Sequence, residues 1–416
     1  MTPQQPQPQD RGPLGPAAGD APRPRRIEGV DAARALAVFG MLTVHLGVGS
    51  LGLAGLAGEG AAEAFHGLTR GRSSALFAFL AGLSLALMTG RTVPLRGREL
   101  RRPIARILVR ALALALLGGF LDLLGAPVAV ILTYYAGFFL LALPMLPLGA
   151  PALAAIAAAV ALAGPQLSYL IRSAMGGDGV REDSINGVAD LLLTGYYPAA
   201  TFMAFVAAGM AVGRLDLHSA RVRLGLAGTG AGLAALGYGG SRVLLHPLGG
   251  LDRIAADLAG GSDPAFTATM RAWVEEQLGQ MHGQVPVDSP SWLLIASPHS
   301  GTTFEAVGAV GSSLLVLAAC LVAADRAGAL LYPLAAAGSM ALTVYAGHIL
   351  VMASEGMSHL DTAPFRWEAF VGTALVLCTL WRLLLGRGPL ERGLGRLADA
   401  GASLVPDQDP PAARRR

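Results

Sequence analysis

Residues 30–52 read VDAARALAVFGMLTVHLGVGSLG, and this stretch decides how the chain must fold. It is apolar almost throughout, but it carries an acid and a base, Asp31 and Arg34, near its start and a histidine, His45, further along. A run of this length and composition predicts a helix that crosses a membrane. Ionisable side chains are costly at membrane depth, so these three residues are the first candidates for a functional site.

The composition of the whole chain also indicates a membrane protein. Of the 416 residues, 53% are hydrophobic and 14% are charged, whereas about 25% of the residues in a soluble domain are charged. The apolar runs predict an all-α bundle of about ten transmembrane helices. The predicted spans are 30–52, 73–90, 104–124, 127–147, 150–171, 192–213, 222–245, 303–324, 331–353 and 367–386.

The positions of the arginines predict the orientation of this bundle. With ten spans, the arginine-rich segments all fall on one side and the acidic loops on the other. Because positive loops stay in the cytoplasm, both termini of this multi-pass protein are predicted to be cytoplasmic. Residues 27–397 form the predicted membrane domain. Residues 1–26, rich in Pro, Gln and Gly, are predicted to be a disordered cytoplasmic tail, and residues 398–416 a second tail.

The segment 246–302 is too long for a simple connection between two spans. Within it, residues 265–282 show rough helical spacing of apolar side chains. This pattern predicts a short amphipathic helix on the outer membrane surface or capping the bundle. The segment 59–70 is expected to behave similarly.

Three histidines are expected to share one outer layer of the bundle. His45 lies about 22 Å along the first span at 1.5 Å per residue, His348 reaches a similar depth in the ninth, and His299 precedes the eighth. A neutral imidazole can take a proton from an attacking amine or hydroxyl. We therefore predict His45 as general base or acyl carrier, with His299 and His348 as partners. The alternative is that each merely hydrogen-bonds to a neighbouring helix.

Other histidines and the acids predict no metal site. His218, His246, His282 and His359 are expected to be solvated surface groups. The chain has no His-Glu-x-x-His motif and no paired-carboxylate motif, and histidines on separate helices without acidic partners are a poor zinc signature.

Two groups of residues suit an anionic ligand. Asp31 and Arg34, three residues apart, can form an ion pair on one helix face, or Arg34 can receive a phosphate-bearing donor from the cytoplasm together with the arginines of 91–106. Arg72 either reaches an interface or holds an anionic group beside Ser73 and Ser74. No nucleic-acid partner is expected.

The segment before the eighth span is compact and polar. Thr302 or Thr303 can cap that helix, and Glu305 can orient His299 or act as a second base. The tyrosines of Gly195-Tyr196-Tyr197-Pro198 are interpreted as interfacial anchors.

Several of these motifs resemble a known family. RIEGVDAAR at 26–34, GRSSALFAFLAG at 71–82 and PHSGT at 298–302 are similar to bacterial relatives of the heparan-alpha-glucosaminide N-acetyltransferase family. LTVYAGH at 342–348 and GRGPLE at 386–391 resemble the C-terminal half of the related YeiB-like membrane proteins. The resemblance implies a helical bundle that moves an acetyl group from cytosolic acetyl-CoA to an acceptor across the membrane.

The resemblance also implies a division of roles. The donor-binding candidates, chosen from the residues themselves, are Asp31, Arg34, Arg72, Ser73 and Ser74, and no metal is expected. The resemblance to bacterial relatives adds acetyl-CoA as co-substrate and a bacterial inner membrane as the location. The acceptor would be a sugar or another amine or hydroxyl compound outside the cytoplasm. The family's catalytic histidine lies in the loop after the first helix, where His66 is nearest, whereas His45 falls where the eukaryotic enzyme has an asparagine.

Two other functions stay open at this point. The polar layer would also suit a transporter or exporter of a small metabolite, or the chain could be a non-catalytic bundle in an envelope complex. Membrane lipids and a second copy of the chain are the expected macromolecular partners.

Overall fold

A computed structural model describes residues 26–176, 187–261, 263–279, 281–355 and 363–406. These residues form helices and connecting turns, and no strand occurs among them. The predicted all-α class is confirmed. Residues 1–25 and 407–416, which make up most of the two predicted tails, lie outside the described residues, as does His359.

Sixteen α-helices follow one another in the described part of the chain. The first eight are α1 (Glu28–Leu46), α2 (Gly52–Leu56), α3 (Glu59–Thr69), α4 (Arg72–Met88), α5 (Arg101–Leu123), α6 (Leu132–Ala142), α7 (Ala150–Ala174) and α8 (Ala199–Gly213). The others are α9 (Ala220–Ala234), α10 (Gly240–Leu245), α11 (Gly250–Ala259), α12 (Pro264–Gln277), α13 (Thr303–Gly338), α14 (Ala341–Glu355), α15 (Arg366–Leu384) and α16 (Pro389–Ser403).

Membrane-length helices are present, which makes this a membrane protein. Six helical stretches of the described residues are long and apolar enough to cross a membrane, and they are Glu28–Leu46, Gly60–Met88, Gly97–Leu123, Ala150–Ala174, Thr303–Gly338 and Arg366–Leu384. Three shorter apolar helices are Leu132–Met145, Ala199–Gly213 and Ala341–Ser354. Each of the ten predicted segments contains helix, but the number of crossings and the side on which the termini lie stay predictions.

The helix α1 occupies the centre of the bundle. Within its apolar window 78% of the residues are buried, against 11% for α15 at the periphery. It packs against α13, α4 and α14. The contact with α13 is backbone to backbone, since a Cβ atom added at Gly338 would lie 1.6 Å from the carbonyl oxygen of Asp31. Small residues of this kind allow membrane helices to approach closely.

The ninth predicted span, 331–353, is not one continuous helix. It comprises the end of α13, a break at Ser339 and Met340, and then α14. Such a break exposes backbone donors at the start of the new helix. The Glu391 carboxylate satisfies one of them, because it accepts hydrogen bonds from the Thr343 backbone N–H at 3.0 Å and from the Thr343 hydroxyl at 2.6 Å.

The segment of the chain between α10 and α13 contributes to a small separate core. The helices α11 and α12 and the loop that follows them bury a cluster of apolar residues around Trp292. The helix predicted within 265–282 is present as α12, the one within 59–70 is present as α3, and α11 was not predicted.

The predicted domain end at residue 397 falls inside α16, which packs against α5 and buries Ala398 and Ala402.

Candidate functional site

Two pockets lie at opposite ends of α1. We call the larger one, of about 820 Å³, the histidine pocket. It is lined by Met41, Val44, His45, Thr69, Gly71, Ser73, Ser74, Asp122, residues 125–129, Tyr196, Tyr197, His282 and His299. The arginine pocket, of about 520 Å³, is lined by Arg26, Asp31, Arg34, Phe77, Ser84, Arg91, Arg110, Tyr135, Arg387 and Glu391, together with apolar side chains.

The spacing of the two pockets is set by α1 itself. Arg34 lines the arginine pocket and His45 lines the histidine pocket. At 1.5 Å per residue the two positions are about 16 Å apart along the helix axis. This distance is about half of a 30 Å hydrocarbon layer, so the two pockets reach deep into the bundle from opposite ends.

Two of the three histidines predicted to share a layer are in direct contact. His45 at the end of α1 and His348 on α14 lie 2.9 Å apart, Nδ1 to Nε2, with their rings stacked at 5.2 Å between centroids. His348 is buried, and the edge of its ring meets Tyr345 at 5.1 Å. At 2.9 Å the pair shares a hydrogen bond, and the tautomers decide which ring donates.

His299 lines the histidine pocket from a loop, as His45 does from α1, and it is not hydrogen-bonded to the other two imidazoles. Its ring packs against Tyr196 at 5.0 Å and Tyr197 at 5.9 Å between centroids. Burial, followed by the charge of nearby Arg70, lowers the pKa of His299 to about 3. The imidazole is therefore neutral at neutral pH. Its backbone φ of 58° is uncommon for a residue other than glycine.

The strained loop around His299 is held by a carboxylate. Glu305 accepts hydrogen bonds from the backbone N–H groups of His299 at 2.5 Å and Gly301 at 2.6 Å. Thr302 caps α13, as predicted, by accepting from the Glu305 N–H at 3.2 Å. The Glu305 side chain thus fixes the backbone of the loop, whereas the sequence had suggested that it orients the imidazole or acts as a base.

The predicted donor-binding residues do not form one site. Ser73 and Ser74 line the histidine pocket, where their hydroxyls donate to the carbonyl oxygens of Thr69 and Gly71, both at 2.8 Å. Arg72 lines neither pocket. Its guanidinium donates to the Tyr238 hydroxyl at 3.0 Å and to the Gly67 carbonyl at 2.8 Å, and it lies 4.4 Å from the centre of the Tyr238 ring.

The other two candidates, Asp31 and Arg34, lie in the arginine pocket. They form the predicted i,i+3 ion pair at 2.6 Å, and Arg34 also donates to the Ser84 hydroxyl at 2.6 Å. The pocket contains five arginines and two acids, so its charge is positive. Three of its lining residues each have a buried polar atom with no hydrogen-bond partner among the described residues, namely Asp31 Oδ2, Arg110 Nε and Tyr135 Oη.

Aromatic rings join one pocket to the other, and we call Phe77, Tyr135 and Tyr345 the aromatic wall. The Phe77 ring lies 5.3 Å from Tyr135 and 6.4 Å from Tyr345, measured between centroids. Phe77 and Tyr135 face the arginine pocket, whereas Tyr345 contacts His348. The Tyr345 hydroxyl accepts a hydrogen bond from the Ile131 N–H at 3.2 Å. The wall therefore connects the arginine pocket to the His45–His348 pair.

Several lining residues were missed or misread from the sequence. Tyr196 and Tyr197, predicted as interfacial anchors, line the histidine pocket, and so does His282, which was predicted as a solvated surface group. Asp122 and Arg110 carried no signal beyond their charge. For the tyrosines the usable signal was their position directly before α8, at the predicted depth of His299.

Metal ligation gets no support from the described residues, which contain no group of three or more His, Cys, Asp or Glu side chains that could hold an ion.

The comparison with protein families bears on the first half of the chain. A family model described as "Heparan-alpha-glucosaminide N-acetyltransferase, catalytic" matches residues 26–239, just over half of the 416 residues. No curated protein and no solved structure matches the chain. The matched range includes His45, Ser73 and Arg34 and most of the lining of both pockets. The chain therefore belongs to the heparan-alpha-glucosaminide N-acetyltransferase catalytic family.

Proposed function

We propose that the protein transfers an acetyl group from acetyl-CoA in the arginine pocket to an amine or hydroxyl of a sugar or similar acceptor in the histidine pocket. The observation that carries this proposal is the pair of pockets at opposite ends of α1, joined by the aromatic wall and the His45–His348 pair. The match to an acetyltransferase catalytic family supports it. We place the arginine pocket toward the cytoplasm of a bacterial cell.

The charge of the arginine pocket supports a phosphate-bearing donor. Guanidinium groups bind phosphate through charge-assisted hydrogen bonds, often two at a time. Arg110 lies on α5 and Arg387 in the turn before α16, and both line the pocket. Arg110 Nε has no hydrogen-bond partner among the described residues. An incoming phosphate oxygen would supply that partner. Acetyl-CoA carries phosphates at one end and its thioester at the other, which fits a pocket that is basic near Arg110 and aromatic near Tyr135.

The lining of the histidine pocket supports an acceptor rich in N–H or O–H groups. The Ser73 and Ser74 hydroxyls donate to the backbone, so their oxygen lone pairs remain to accept hydrogen bonds from the acceptor. The rings of Tyr196 and Tyr197 add flat apolar surface beside them. A few placed polar groups on an apolar lining are typical of small-molecule sites.

In this mechanism His45 is the general base. Its Nε2 keeps a free lone pair only if its Nδ1 carries the proton and donates to Nε2 of His348, 2.9 Å away. His348 is then a positioning residue that selects the active tautomer. The acceptor nitrogen or oxygen attacks the thioester carbon and gives its proton to His45. The bond from carbon to sulfur breaks, and the thiolate leaves into the positively charged arginine pocket.

Acetyl transfer in proteoliposomes tests the proposal. The purified protein is supplied with radiolabelled acetyl-CoA and with glucosamine, or with glucose as the matched hydroxyl acceptor. Labelled product is expected with the wild type and with His218→Ala, an exposed histidine outside both pockets, but not with His45→Ala. Transfer that is unchanged in both His45→Ala and His348→Ala would refute the site assignment.

Transport is the second candidate, because two pockets on opposite sides of a thin wall also suit a carrier. Such a carrier would move a labelled sugar or amine across proteoliposomes with no acetyl-CoA present. Flux without acetyl transfer would favour it over the enzyme. If transfer, flux and acetyl-CoA binding are all absent, the protein is a non-catalytic bundle.

A further inference from the structure

One polar atom in the aromatic wall has no structural partner. Tyr135 is 2% exposed, and its hydroxyl makes no hydrogen bond to any described residue. Its ring is packed on three sides by Phe77, Phe138 and Phe139. A buried hydroxyl without a partner is costly, and phenylalanine would fill the same space without that cost. The hydroxyl therefore calls for a partner that arrives with a ligand.

The other tyrosine of the wall differs in this respect. The Tyr345 hydroxyl already accepts a hydrogen bond from the Ile131 N–H. Tyr135 lines the arginine pocket, whereas Tyr345 faces the His45–His348 pair. Of the two tyrosines, Tyr135 is thus the one whose side chain borders the arginine pocket, on the side of the wall from which the acetyl group would come.

A phenol can donate a hydrogen bond, and the ligand must offer an acceptor in an apolar surrounding. The phosphates of a donor molecule pair with the arginines, and its thioester sulfur is a weak acceptor. The amide carbonyls of its pantetheine arm and its thioester carbonyl are acceptors, but only the thioester oxygen becomes a better acceptor during the reaction, when attack on the carbon moves electrons onto it. Donors aimed at such an oxygen in a dry site act most strongly in the transition state.

We propose that the Tyr135 hydroxyl donates a hydrogen bond to the carbonyl oxygen of the thioester and stabilises the negative charge that develops there. This inference rests on the proposed acetyl transfer. The bond from the acceptor nitrogen to the carbonyl carbon forms, and the carbonyl electron pair moves onto the oxygen that Tyr135 holds. When that pair returns, the carbon–sulfur bond breaks. The proton of the amine passes to His45 and from there to water or to the departing sulfur.

The position of Phe77 is consistent with this role. Its ring lies between the two tyrosines of the wall and is itself only half-buried, because it faces the arginine pocket. Because the Tyr135 hydroxyl is buried, the proposed hydrogen bond requires a neighbouring side chain to move, and Phe77, which borders both Tyr135 and the pocket, is the side chain that we propose moves.

Tyr135→Phe tests the inference, because it removes one oxygen and keeps the ring. We expect acetyl transfer at saturating acetyl-CoA to fall by about 100-fold or more, while KM for acetyl-CoA and the affinity for CoA, which lacks the thioester carbonyl, change by less than about twofold. The matched control is Tyr332→Phe, since Tyr332 packs on Arg382 away from both pockets and should keep the wild-type rate. Thermal unfolding of both variants in detergent checks that each is folded.

A second variant separates chemistry from packing. With 3-fluorotyrosine at position 135 the phenol is more acidic but nearly the same size, and we expect it to restore most of the rate that phenylalanine loses. A Tyr135→Phe variant that is as fast as the wild type overturns the inference and leaves the proposed function intact. Equal losses of CoA affinity and rate would also overturn it, because Tyr135 would then serve binding alone. A wild type that makes no acetylated product refutes the proposed function and this inference together.

Discussion

The histidine pocket and the arginine pocket share one helix but differ in how their polar groups are satisfied. In the histidine pocket the ionisable ring of His299 is neutral and the Ser73 and Ser74 hydroxyls are bonded to backbone carbonyls. In the arginine pocket the lining is positively charged, and buried atoms of Asp31 and Arg110 have no partner among the described residues. The first is suited to an uncharged reacting group and the second to an anion. The contrast predicts that changes in the two pockets will have separable effects.

The largest effect is expected in the histidine pocket. His45→Ala removes the proposed base, and the rate of acetyl transfer should fall about 1000-fold. Because His45 is remote from the arginines, the affinity for acetyl-CoA should stay within about twofold of the wild type. Stopped-time transfer assays and equilibrium binding measure the two quantities. A parallel loss of donor affinity would show that the pockets are not separate.

The reverse pattern is expected in the arginine pocket. Arg110→Ala removes a charged donor from the proposed phosphate site, so the affinity for acetyl-CoA should fall about 10- to 100-fold. The maximal rate should change little. Arg106→Ala is the matched control, because Arg106 lies one turn earlier on α5 and pairs with exposed Asp399 outside the pocket. Equal losses in both variants would mean that net charge, not the site, attracts the donor.

Acid tests the neutral character of the histidine pocket. The unfolded chain protonates His299 near pH 6.5, whereas the folded protein does so only near pH 3. As the pH falls below about 6.5, the unfolded state therefore gains a proton that the folded state does not bind. The free energy of unfolding should fall by up to about 1.4 kcal/mol per pH unit from this group.

The variant His299→Gln isolates that contribution. Its melting temperature should decline less steeply than that of the wild type between about pH 6.5 and pH 4.5, whereas exposed His218→Gln should follow the wild type. If His299→Gln shows the wild-type slope, the imidazole is not buried in its neutral form.

The smallest effect concerns the loop that carries His299. Thr302→Ala removes the cap of α13 and the hydrogen bond from the buried Thr302 hydroxyl to the Ile295 carbonyl, and should lower the free energy of unfolding by about 1 to 2 kcal/mol. The melting temperature should drop by a few degrees, and the rate of acetyl transfer should fall modestly as the loop loosens. Thr267→Ala, on the exposed helix α12, is the control and should change stability by less than about 0.5 kcal/mol. A larger loss in the control would refute the capping role.

The features that could be predicted from the sequence are those that depend on residue spacing along a helix. The Asp31–Arg34 pair follows from helical spacing, and the shared depth of His45 and His348 follows from counting residues along two spans. Contacts sideways between helices could not be counted in this way. The Arg72 guanidinium donates a hydrogen bond to Tyr238, which is 166 positions away, and no local sequence pattern indicates that partner.

The tyrosines show a second limit. Tyr196 and Tyr197 open a helix at the predicted membrane surface, where aromatic anchors are common. Anchors and pocket linings use the same residue types, and only the three-dimensional position of the His299 loop distinguishes them. The break at Ser339 was likewise hidden, because an apolar run looks the same whether its helix is continuous or restarted by a cap from Glu391.

The helix α1 sets the distance and the relative orientation between the two pockets. One residue added or removed between Arg34 and His45 would shift the imidazole by 1.5 Å and turn it by about 100° around the helix axis. Both pockets would keep their full set of side chains, but His45 and Arg34 would no longer have their present relative orientation around α1. The same change in the connection between α1 and α4 would be absorbed by turns. The connection after α1 can therefore vary in length, but the eleven-residue interval from Arg34 to His45 is a fixed dimension of the protein.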